Sequence, residues 1–116
     1  MWQRSSLQMA RLCDGLGVPY FHFLQPNQYV AGSKEMGPEE RKAGYDESHP
    51  YRGSVVLGYP KLRTQGEELR RRGVQFFDLT MSLAAHKELL YTDTCCHLSE
   101  AGYRLLAVTM AEKIVK

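Results

Sequence analysis

A chain of 116 residues holds one domain, and its 43% apolar and 24% charged composition excludes wholesale disorder. Fifteen basic against thirteen acidic residues leave a formal charge of +2, too weak a field to imply nucleic acid as a partner. No apolar run approaches the roughly 20 residues that span a bilayer, so no membrane partner is expected.

From the N-terminus, Trp2, Ser6, Met9, Leu12, Cys13 and Leu16 recur at helical spacing and predict one buried face, with Gly15 and Gly17 as the stop. The opening MWQRSSLQMARL lacks the apolar stretch of a signal peptide, which makes the cytoplasm the default compartment. Val18 to Leu24 is short, aromatic and apolar, and reads as a strand covered on both faces. Residues 25–50 are rich in Gly, Pro and polar side chains, with one short helix expected near Pro38. Gln25, Asn27 and Gln28 follow the strand's C-terminal end, where an open α/β sheet places ligand-binding groups; hydrogen bonding within the loop around Pro26 is the alternative. Gln25 and Asn27 are therefore candidate substrate-binding residues.

A longer helix is expected from Tyr51 to Arg72, interrupted at Pro60, with Val55, Val56, Tyr59, Leu62 and Leu69 as its buried stripe and Gly73 as its end. Arg70 to Arg72 then form a solvated helix end that complements the dipole. Val74 to Leu79 is the second strand, carrying Asp78 near its end. His22 reads as a satisfied core or edge histidine, and His49, before Pro50, as a turn residue. Ser99 is a good N-cap for a last helix, with Leu98 and Tyr103 as a hydrophobic staple and Leu105, Leu106, Val108, Met110 and Ile114 as its apolar side.

Helices alternating with strands imply an α/β fold with parallel strands and right-handed crossovers. Two strands are few. So narrow a sheet leaves edges with unpaired backbone groups, which invite another chain.

The chemistry concentrates in Asp93-Thr94-Cys95-Cys96-His97, just ahead of the last helix. Zinc sites usually separate paired cysteines by two to four residues, so three consecutive ligand types do not predict a metal. Adjacent side chains in an extended loop diverge, which argues against a cysteine nucleophile served by His97. Neighbouring cysteines rarely bridge, because the bond strains the intervening peptide; packing is the expected role for at least one thiol. With only three cysteines in all, no disulfide framework is expected.

A loop histidine preceded by an Asp and followed by a C-terminal helix resembles the last block of the SGNH (GDSL-type) hydrolases. The segments W-x-x-S, YFHFLQPNQY, GSKEM, GYPKL, GVQFFDLT and YTDTCCHL, in this order, resemble the C-terminal half of one subgroup of that family. The resemblance implies a single unit over residues 1–116: part of a three-layer, flavodoxin-like α/β sandwich with its N-terminal part missing. It implies hydrolysis of an ester through an acyl-serine intermediate, with His97 as general base and Asp93 holding the imidazole tautomer. It implies no metal and no organic cofactor.

Two departures matter. The family's Asp lies three residues before its His, whereas Thr94 holds that position here and Asp93 lies four before His97. Asp93 reaches His97 if the loop makes an α-turn; otherwise Thr94 faces the ring. The GDS-type serine block and the Gly and Asn blocks that furnish oxyanion donors are absent, and Ser5 and Ser6 fall within a helix. The chain by itself is thus expected to be inert toward esters. An ester substrate is expected only where another polypeptide or an N-terminal part completes the site. The rival expectation is a non-catalytic interaction protein that associates with itself through the exposed sheet edge.

Overall fold

The computed structural model describes residues Met1 to Lys116 and is a mixed α/β fold. In chain order it comprises α1 (Trp2–Gly15), β1 (Phe21–Leu24), α2 (Pro38–Gly44), α3 (Pro50–Arg71), β2 (Gln75–Asp78) and α4 (Glu100–Ile114). No helix is long and apolar enough to cross a membrane.

The two helices that feed strands end alike. Gly17 (φ 68°) and Gly73 (φ 89°) take the left-handed conformation that side chains resist. Past them, Val18 N donates to Cys13 O and Val74 N to Leu69 O, each with the matching bond one residue inside from Gly17 to Asp14 and from Gly73 to Arg70. These are Schellman closures, and each reverses the chain straight into the sheet. The first uses the Val18 N–H and is followed by Pro19, which has none to give a ladder, and β1 starts at Phe21 rather than at Val18.

β1 and β2 pair in parallel, with His22 opposite Phe76 and Leu24 opposite Asp78. Alternation sends the two faces of this ribbon into different cores. Leu24 and Phe76 join Leu69 and Val74, packed by Trp2, Leu7, Ala10, Tyr59 and Leu62 from α1 and α3. Phe23 and Phe77 stack on each other at 5.5 Å and face the second core, built from Leu79, Leu83, Leu90, Tyr91, Leu98 and Leu106. Gly66 lets α3 lie against β2, since a Cβ there would meet the Phe76 ring at 2.1 Å.

The predicted helical faces need correction. In α1 the residues turned inward are Trp2, Ser6, Leu7 and Ala10, while Met9, Leu12 and the C-cap Leu16 stand exposed. In α3, Val55 and Leu69 are buried but Val56 is open, and in α4 Leu105, Leu106 and Met110 pack whereas Val108 and Ile114 do not. The helices thus carry more apolar surface than this chain covers. Pro60 sits inside α3, as the sequence indicates, and Ser99 caps α4 by accepting from Gly102 N at 3.2 Å.

The edges of the sheet are unequal. Leu79 N donates to Leu24 O, so the odd residues of β2 face β1 and the backbone of Phe76 and Asp78 faces away. Arg70 turns back and donates to the Phe76 carbonyl through Nε (3.3 Å) and Nη2 (3.1 Å). The outer edge of β2 is therefore blunted by an arginine. On β1 the backbone of Phe21 and Phe23 faces outward by the same alternation.

Candidate active site

Asp93 and His97 meet. Asp93 Oδ2 lies 2.5 Å from His97 Nδ1, a charge-assisted hydrogen-bond contact across four residues. No main-chain α-turn produces this reach. The other carboxylate oxygen, Oδ1, accepts from the amides of Cys95 (2.9 Å), Cys96 (3.0 Å) and His97 (3.2 Å). The aspartate wraps the loop around its own side chain, which shortens the path to the ring. The Cys96 amide foremost, then the His97 ring and the remaining amides, hold the Asp93 carboxyl well below the usual carboxylate range. Thr94 does not replace it; its carbonyl accepts from Tyr29 Oη at 2.6 Å.

The base of the loop is clamped on several sides. Tyr91 and Leu98 form an antiparallel bridge, Thr92 N donates to His97 O, and Ser99 N donates to Leu90 O at 2.7 Å. Gln28 donates through Nε2 both to Asp93 O (2.9 Å) and to Gly44 O (3.0 Å). Glu40, on α2, accepts from the amides of Leu90 (2.6 Å) and Tyr91 (2.8 Å) with one oxygen and from Lys34 Nζ (2.7 Å) with the other. Both members of that ion pair are buried. Gly44 admits Tyr91, whose Cβ would lie 2.9 Å from a side chain there. The long polar segment between β1 and α3 is thus the scaffold of the His97 loop.

The candidate residues after β1 part company. Gln25 is exposed and shares with His97, Cys96, Leu98, Tyr103, Leu106 and Pro26 a cavity of about 250 Å³. Asn27 is 1% exposed: it donates to Tyr51 Oη and accepts from Tyr29 N at 3.0 Å, a loop-bracing placement away from that cavity. Nothing in the composition of residues 25–28 distinguishes the two. Lys34, Glu40 and Tyr29 carried no signal of their own either, because a charged or polar side chain in a polar segment reads as solvated until its burial is known.

His97 is largely exposed, and with Nδ1 engaged its Nε2 carries no protein partner. An imidazole so held can take a proton at Nε2 while the carboxylate stabilises the resulting cation. No serine accompanies it. Ser6 is 3% exposed and bonds His22 Nδ1 at 2.7 Å, which makes His22 the satisfied histidine that its strand position implies. His49 caps α3, its Nδ1 accepting from Tyr51 N at 3.3 Å.

Contrary to the expected divergence, the Cys95 and Cys96 sulfurs lie 3.0 Å apart. Burial, then the bond to Cys95, pushes the Cys96 thiol up to about 11. With a ring nitrogen of His97 these atoms fall within 4.8 Å of one another. As placed they do not suit zinc: two thiolates bound at 2.3 Å would stand about 3.8 Å apart on a tetrahedron. The ring's Nδ1 is, besides, committed to Asp93.

Neither a protein-family model nor a curated protein matches the chain.

Proposed function

We propose that this chain is the histidine-bearing, C-terminal part of an SGNH (GDSL-type) ester hydrolase, related to the flavodoxin-like sandwich of that family. The observation that carries the reading is the 2.5 Å contact between Asp93 Oδ2 and His97 Nδ1, with Nε2 left free. His97 is the general base and Asp93 its orienter. The serine and the oxyanion donors come from a preceding segment or from a second polypeptide. Gln25 lines the 250 Å³ cavity beside His97, which supports its role in binding substrate.

The unequal edges support this arrangement. In a doubly wound sheet of strand order 2-1-3-4-5, the last strand is the outer one and the fourth pairs with the third. Here the second strand is blunted by Arg70 and the first presents open backbone at Phe21 and Phe23. The first strand is where an additional parallel strand belongs. The exposed Met9 and Leu12 of α1, with Leu16 at its C-cap, are surface that added elements would cover.

The test is turnover of a short-chain aryl ester. The purified chain alone is expected to be inert, since loss of a nucleophile alone costs about a millionfold. Co-expressed with a segment carrying a GDS-type serine block, it gains serine-dependent activity. Asp93→Asn lowers that activity by about 10⁴-fold, and His97→Ala by at least as much. Activity in the complemented enzyme that His97→Ala leaves untouched sinks the reading.

The same open edge favours a second reading, a non-catalytic protein that dimerises through β1. Sedimentation equilibrium separates the two. A stable dimer broken by Phe21→Lys, with no complementable activity, supports the interaction protein.

A further inference from the structure

Within the His97 loop, the adjacent thiols have no part in base catalysis, yet they lie at an unusual approach. A disulfide bond measures about 2.05 Å, so the sulfurs at 3.0 Å need close only about a further 1 Å. Two thiols poised on a metal would stand wider apart. We propose that Cys95 and Cys96 form a thiol modification site that closes reversibly to a vicinal disulfide, taking a small-molecule disulfide as oxidant, and that closure loosens the Asp93–His97 pair.

The step balances. One thiol, as its thiolate, attacks a sulfur of the small disulfide; a mixed disulfide forms and one thiolate leaves. The second cysteine loses its proton to water and attacks the protein sulfur of that mixed disulfide, forming the Cys95–Cys96 bond and releasing the second small thiol. The pair gives up two electrons and two protons, and the small disulfide is reduced to two thiols. Proximity favours the second attack over competing encounters in solution.

Strain makes closure consequential. Disulfide-linked Cα atoms usually lie 4.4–6.8 Å apart, whereas neighbouring Cα atoms across a trans peptide are fixed at about 3.8 Å. The ring therefore closes only by twisting the Cys95–Cys96 peptide. The N–H of that peptide belongs to Cys96, and it donates to Asp93 Oδ1 at 3.0 Å. The Cys95 amide, immediately before it, donates to the same oxygen. Twisting withdraws the bonds around which Asp93 is wrapped, and the carboxylate loses its hold on the ring. A strained, partly exposed disulfide is also easily reduced, so the closure is reversible. Cys96 lines the cavity beside Gln25 and His97, which gives a small oxidant a way in. The regulatory meaning of closure rests on the hydrolase reading; the thiol chemistry does not.

The experiment uses the full chain as Cys13→Ala, which leaves only the pair, treated with excess oxidised glutathione. Intact mass spectrometry is expected to show a monomer lighter by two hydrogen atoms, with the loss mapped to the peptide holding Cys95 and Cys96 and reversed by dithiothreitol. Cys95→Ser in the same background is expected to end as a glutathione adduct instead. Amide exchange at Cys96 is expected to run on the order of tenfold faster after closure. A persistent glutathione adduct on the intact pair, or an interchain dimer, overturns the site. Closure with unchanged exchange at Cys95, Cys96 and His97 overturns the coupling to Asp93. Failure of the hydrolase reading shows separately, as absent ester turnover, and leaves mass and exchange untouched.

Discussion

His22 shows how a single half-buried group sets a pH response. Burial against Trp2, Phe76 and Ser6 lowers its pKa, so the fold favours the neutral ring. Its unfolded pKa is about 6.5, and below that value the unfolded chain binds the proton more readily than the folded one. Its contribution is complete above about pH 6.5 and lost as pH falls toward the depressed folded value. Urea midpoints are expected to decline on acidification through this range in the parent chain, and less so in His22→Gln. Glu40 is the costlier residue to lose. Glu40→Ala strands buried Lys34 and two amides, and about 3–5 kcal/mol of unfolding free energy is expected to disappear in urea titration. Tyr91 runs the other way. Its hydroxyl is buried without a partner in the chain, and burial pushes its pKa upward. Tyr91→Phe removes an unpaid desolvation and is expected to leave stability unchanged or raise it by about 1 kcal/mol, by the same titration.

At the scale of elements, α3 is placed by a contact that its own periodicity does not announce. α3 reaches the sheet through Gly66, and the Phe76 ring occupies the space a side chain would need. Gly66→Ala gains helix propensity of roughly 1 kcal/mol but overpacks the core by about 1–3 kcal/mol. The net expectation is a lower thermal midpoint, whereas Gly58→Ala, in open space on the same helix, raises it. Existence and order of the elements were legible in the sequence, because the stop glycines, the apolar strand runs and the Ser99 cap act within a few residues. Which helical face turns inward was only partly legible. Met9, Leu12 and Leu16 are as apolar as Leu7, and only the position of the sheet decides that Leu7 packs.

For the whole molecule, the narrow sheet divides two small cores and leaves apolar helix faces open. The distinction between packed and open apolar residues predicts unequal costs. Leu69→Ala, fully buried, is expected to lose about 2–5 kcal/mol by urea unfolding, and Leu12→Ala, exposed on α1, less than about 0.5 kcal/mol. The candidate pair was legible as residue types, Asp93 and His97 ahead of a capped helix, but their contact was not. Spacing left the aspartate and Thr94 both in play; the choice fell to three loop amides that gather one carboxylate oxygen. The sequence alone determined the α/β order, the helix ends and the loop that bears the histidine, since local backbone preference and short-range capping act before distant parts meet. Tertiary structure alone decided the buried Lys34–Glu40 strut and the burial of Asn27 beside the exposed Gln25. Those depend on segments far apart in the chain converging on one loop, and no local pattern encodes where a distant segment comes to rest.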